Sequence, residues 1–134
     1  MHLENLNFLA VIVAALSTFL IGGLWYSPIL FGKTWMREAG ISENDQQGHP
    51  AKVYGLSFVF ALLAAFAFAI LLGHHTELAY ALHYALLVGI GFVATSFGIN
   101  YQFSNKSIKL WLIDAGYHFT QFLAIALILS AWPK

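Results

Sequence analysis

Asp114 and His118 stand four residues apart in a long apolar run, with Tyr117 beside them and Gln121 one turn further on. On a helix that spacing gathers all four side chains on one side. A carboxylate and an imidazole so placed can pass a proton or hold a cation. An ionised Asp in a spanning helix costs about 2.5 to 3.5 kcal/mol on insertion scales, so it must pair, take up a proton or face water. The functional reading is a proton- or cation-handling site formed by Asp114, Tyr117, His118 and Gln121. The structural reading is a hydrogen-bonded clasp that fixes this helix against its neighbours through Ser17, Thr18, Ser96 or Asn100. Single intramembrane hydrogen bonds average only about 0.6 kcal/mol, so a clasp needs several of them. Measured from Lys109 at about 1.5 Å per residue, Asp114 lies about 7.5 Å and His118 about 13 Å inward, which puts the imidazole near the midplane.

A second set of ionisable side chains, His2, Glu4, His74, His75, Glu77 and His83, falls at the other end of the same segments. Imidazoles and carboxylates are ligands for zinc or copper, but adjacent His74 and His75 point apart and the spacing matches no established site. Neither a metal nor any other cofactor is expected. His83 and His118 sit about 9 Å apart in depth, too far for a shared haem within a core of ~30 Å. There is no Cys, hence no disulfide framework, thiol nucleophile or thiolate metal site. Glycine-rich phosphate loops, nucleophile elbows and zinc-protease motifs are absent from the sequence. A formal net charge of zero suggests no nucleic-acid partner.

The elements that carry these residues are membrane-like. Hydrophobic residues make up 60% of the 134-residue chain and charged ones 9%, against about 25% charged in soluble domains. Four apolar runs, at about 8–26, 53–72, 78–100 and 110–132, approach or exceed the roughly 20 residues that cross a bilayer. The expectation is a single all-α domain, an integral membrane four-helix bundle. Its longest loop, 40–50, sets Ser42 and Asp45 in a capping relation. Lys33, Arg37, Lys52, Lys106 and Lys109 flank the first and third connections, whereas the second holds no cation and the carboxyl end only Lys134. Both termini are therefore expected outside, with the basic connections in the cytoplasm. The first apolar run lacks a basic leader and is read as retained. Small residues striping the first, second and third runs allow close helix approach. The fourth run, with a small face and a polar face, should lie at the centre. Gly89 and Gly116 are candidates for self-association.

Between the first two runs lies Trp25-Tyr26-Ser27-Pro28-Ile29-Leu30-Phe31-Gly32-Lys33-Thr34-Trp35-Met36-Arg37. Trp25 and Tyr26 combine an apolar body with a polar tip, as suits the headgroup boundary. Ser27 as cap and Pro28 in the first helical position predict a short helix over 28–39 that ends at Gly40. Ile29, Phe31, Trp35 and Met36 fall on one side of it; Lys33, Thr34, Arg37 and Glu38 fall on the other. That division predicts a helix lying in the membrane interface, with Lys33 and Arg37 at the surface. The run from Leu24 to Met36, with Asn7, Ala14-Ala15 and the distal Asp114-Ala115-Gly116-Tyr117-His118, resembles the bacterial membrane family known as domain of unknown function 1761. The resemblance covers nearly the whole chain and implies four transmembrane helices, with no activity attached. Family members often have Asn where this chain has Asp114, and a Phe-Glu segment where it reads Phe103-Ser104-Asn105-Lys106.

These observations point to a small, non-enzymatic bacterial inner-membrane protein. Its partners are the lipid bilayer and a second copy of itself or another membrane protein, in a structural, assembly or accessory role. The alternative is a small channel or transporter with its polar site on the fourth helix. Against a straight pore, the outer half of that helix, Leu123 to Leu129, is wholly apolar.

Overall fold

Three of the helices begin where a side chain satisfies a free backbone amide of the first turn. In the computed structural model, which describes residues 6–42, 44–45 and 48–133, the order is α1 (Phe8–Trp25), α2 (Gly32–Ala39), α3 (Pro50–Leu72), α4 (Leu78–Phe103) and α5 (Ile108–Ala131). Asn7 Oδ1 accepts from the Ala10 amide to open α1, and Ser107 Oγ accepts from the Leu110 amide to open α5. At α3, His49 Nδ1 accepts from the Ala51 amide and Pro50 occupies the first turn, so the helix starts three residues before the expected Val53. The Ser107 cap likewise moves the start of α5 from 110 to Ile108, and α4 runs past 100 to Phe103. Asp45 Oδ2 accepts from the Ser42 amide, which closes a turn in the loop.

Four of these helices, α1, α3, α4 and α5, are long and apolar enough to cross a membrane. They pack as a bundle in which α5 touches all the others, and α1 lies between α3 and α5. Of the apolar stretch of α5, 39% is buried, against 22–28% for the other three, which makes α5 the central helix. The core is built from small side chains. Ala14 and Ala15 of α1, Ala61, Ala65 and Ala69 of α3, and Ala81 and Ala85 of α4 surround Phe68, Phe122 and Ile125. Close approach gains dispersion contacts, the main attraction left between helices once lipid replaces water. Gly89 lies directly against α5, where a Cβ would stand 3.2 Å from the Phe119 Cα.

The middle of α4, Leu87–Ala94, takes the wider π-helical form. Thr95 Oγ1 donates to the Gly91 and Phe92 carbonyls, and Ser96 Oγ also donates to the Phe92 carbonyl, so side chains stabilise the return to α-helix. The Trp111 indole Nε1 of α5 donates to the Ala94 carbonyl at 2.9 Å, which binds this stretch to the central helix.

The segment after α1 differs from the expected helix over 28–39. Residues 26–31 form turns, and α2 starts at Gly32 with Phe31 before it and no side-chain cap. Ser27 Oγ does not cap a new helix; it donates backward to the Leu24 carbonyl at 2.7 Å. The Ser27 carbonyl instead accepts from the Leu30 and Gly32 amides, while the Phe31 amide reaches the Trp25 carbonyl. This reversal brings Gly32 so near the chain that a Cβ there would lie 2.4 Å from the Tyr26 carbonyl oxygen. The close approach explains both the glycine and the delayed helix. At its far end α2 stops at Gly40 in the left-handed conformation, φ 72°, as glycine permits.

Candidate intramembrane polar site

Asp114 is 8% exposed and receives two phenols from two other elements. The Tyr26 hydroxyl, from the turn after α1, donates to Oδ1 at 2.6 Å, and the Tyr101 hydroxyl, near the end of α4, donates to Oδ2. Among the described residues no Lys or Arg lies within ion-pair distance of this carboxylate, so phenolic hydrogen bonds stand in for a counter-ion. One turn deeper, the Tyr117 hydroxyl donates to the Thr18 carbonyl of α1 at 2.9 Å. Thr18 itself is fully buried, its Oγ1 turned to the Ala15 carbonyl.

His118 and Gln121 form a second pair. His118 Nδ1 lies 2.7 Å from Gln121 Oε1, and with that oxygen accepting, a neutral ring carries its proton on Nδ1. The imidazole stacks on Phe97 of α4 with centroids 4.9 Å apart. Rings then line the group toward α2. Tyr26 meets Tyr117 edge-on at 5.5 Å and Trp35 at 5.7 Å, and Trp25 packs on Phe31 at 4.9 Å. The Trp25 indole Nε1 donates to the Ile113 carbonyl at 2.9 Å, one residue before Asp114. The Trp-Tyr pair at the end of α1 thus reaches into α5 at two consecutive residues, where an anchoring role in the headgroup layer had been expected. Pro28 is exposed in the same turn and Lys33 is exposed on α2.

The structure gathers Asp114, Tyr117, His118, Gln121 and Thr18, but not Ser96 or Asn100. Ser96 is exposed and bonded within its own helix, and the Asn100 side chain is also exposed. Ser17 too bonds within its helix, to the Ala14 carbonyl. Tyr101, the residue after Asn100, fills the place expected of them, because its longer side chain spans from α4 to the carboxylate. The available signal was a phenol near the basic end of α4, opposite the Asp114 level of α5.

At the opposite end, His75 stacks on Tyr80 at 4.5 Å and His83 Nδ1 bonds the Ala79 carbonyl. Among the described residues no three His, Asp or Glu side chains converge as metal ligands. His2 and Glu4 lie outside the described residues, as do Glu43 and Lys134.

Four apolar spans, a short amphipathic helix after the first and a carboxylate held by phenols define a multi-pass helical membrane protein. Residues 9–130 match the family described as "Protein of unknown function (DUF1761)", and the chain belongs to it. No curated protein and no solved structure matches the chain.

Proposed function

We propose that this chain is a non-catalytic bundle of the bacterial inner membrane with a structural or accessory role in a larger membrane assembly, and that the Asp114 group is its clasp. The observation that carries the reading is the occupation of both Asp114 oxygens by phenols from different elements. A carboxylate committed in this way ties the α1–α2 turn, α4 and α5 together. The Trp25 and Tyr117 bonds to and from α5 support it, giving the several hydrogen bonds that a clasp requires. Association with a second copy or with another membrane protein belongs to the same proposal. Gly89 and Gly116 are used inside the protomer, against Phe119 and Trp25, so the partner would meet other faces.

The experiment is reconstitution of the wild type and Asp114→Asn in sealed vesicles, with folding and proton or cation flux measured together. Normal folding of the variant with flux equal to the wild type supports the clasp. A variant that folds normally but loses a flux shown by the wild type overturns it in favour of a transporter. A single-chain mass in lipid discs, with no companion protein on capture from native membranes, would overturn the assembly role.

A further inference from the structure

The end of the bundle that carries α2 has a charge and surface pattern unused by the clasp. Lys33 and Arg37 lie one turn apart on α2 and both are exposed. Glu38 accepts from Ser107 Oγ at 2.6 Å, which ties the α4–α5 connection to the last turn of α2. The connection carries Lys106 and, at the start of α5, Lys109, both exposed. Four cations are thus held on two joined segments, with Lys52 exposed at the start of α3 on the same end of the bundle. Of the described acidic side chains at this end, both are already engaged, and the one pair with a cation is solvent-exposed and weak. Glu38 is engaged by Ser107 and lies 3.9 Å from Arg37 Nε, while Asp45 is committed to the Ser42 amide.

Among these cations stand large apolar side chains with no cover. Phe103 is 90% exposed, Ile29 82% and Ile108 60%. Burying apolar area is favourable, so these side chains favour a hydrocarbon environment within reach of the cations. A headgroup layer offers anions and hydrocarbon this close together, and the four spans place the surface beside one. We propose that α2 and the α4–α5 connection form a binding surface for anionic phospholipids, an inference that rests on the membrane reading but not on the clasp. The Arg37 fork and the lysine ammoniums take the phosphate, for which a planar guanidinium is well shaped. Phe103, Ile29 and Ile108 enter the upper acyl region. The Glu38–Ser107 bond positions the two basic segments for one headgroup layer.

The test places the full chain in lipid discs of phosphatidylcholine mixed with phosphatidylglycerol and measures, by native mass spectrometry, which lipids stay bound. Wild type should retain phosphatidylglycerol above its share of the mixture, and the preference should shrink as salt rises, since exposed charges are screened. Neutralising Lys33, Arg37, Lys106 and Lys109 to Gln should lower the enrichment about fivefold per residue, near the value of one cation at an anionic surface. Lys106→Arg should preserve it. Inorganic phosphate added at the same concentration as the anionic lipid should displace little of it, because a free ion gains nothing from the apolar side chains. Equal retention of both lipids by wild type overturns the proposal without reference to any variant. Full displacement by phosphate would reduce the surface to a simple anion site and overturn it as well.

Discussion

Asp114 shows how a costly residue becomes a fixed point. Its two oxygens are each met by a phenol, so the bonds that compensate for burial also define where the α1–α2 turn and α4 sit against α5. Asp114→Asn keeps one oxygen as acceptor and adds an amide that can donate to the second phenol, so it should fold with a small loss of stability. Asp114→Leu strands both hydroxyls, and an unsatisfied buried polar group costs about 1–3 kcal/mol. Thermal unfolding in lipid discs should rank wild type first, then Asn, then Leu; a Leu variant as stable as wild type would remove the clasp. Tyr101→Phe and Tyr26→Phe each delete one donor and leave the other, so each should cost about 1 kcal/mol, between the ~0.6 kcal/mol average for intramembrane bonds and the larger values for charged partners. Ser96→Ala is the matched control. Its hydroxyl bonds within α4 and should be replaceable without effect on the Asp114 group.

Between helices the glycines are not equivalent, and their surroundings rank them. Gly32→Ala would force a Cβ to 2.4 Å from a backbone oxygen, and neither side of that contact can move without opening the turn. At Gly22 the nearest neighbour is the end of the Tyr117 side chain at 3.1 Å, which can yield by giving up part of its bond to Thr18. Protease resistance and melting temperature should therefore fall far more for Gly32→Ala than for Gly22→Ala, and the reverse order would deny the turn its organising role. Gly89→Leu meets the Phe119 backbone and should separate α4 from α5 even in a monomer. This difference marks what was legible in the sequence. Hydropathy and length reveal four spans because lipid leaves a spanning chain few options besides a helix. Alanines at 61, 65 and 69 disclose a packing face because their spacing repeats. The Tyr101 partner of Asp114 has no such signature, since a phenol in a span reads equally well as a lipid contact. The π stretch is equally silent: Leu87–Ala94 is apolar throughout, and no periodicity tells α from π there. Ser27 and Pro28 had the composition of a helix start, yet the closure onto Gly32 depends on a backbone contact that composition does not encode.

At the scale of the molecule the basic residues divide the bundle into two unlike ends, and this asymmetry carries the last prediction. α2, the start of α3, the α4–α5 connection and the start of α5 hold Lys33, Arg37, Lys52, Lys106 and Lys109, whereas the hairpin 73–77 between α3 and α4 has none. Cations next to short loops resist transfer across a membrane, and the bias recurs at both connections on that end, so each supports the same orientation. The proposed topology has both termini outside. A reporter active only in the cytoplasm should work when inserted after Gly48 and fail when fused beyond Lys134, and a reporter active only outside should give the opposite pattern. If the positive charges set this orientation, moving them should weaken it: Lys33→Gln, Arg37→Gln, Lys106→Gln and Lys109→Gln together, with lysines placed at His74 and His75, should yield a mixed or inverted population. A wild type with its carboxyl end in the cytoplasm would overturn the orientation and put the α2 surface against the outer leaflet. The helix packing and the Asp114 bonds would be unchanged by that result, because they depend on contacts within the bundle and not on which side it faces.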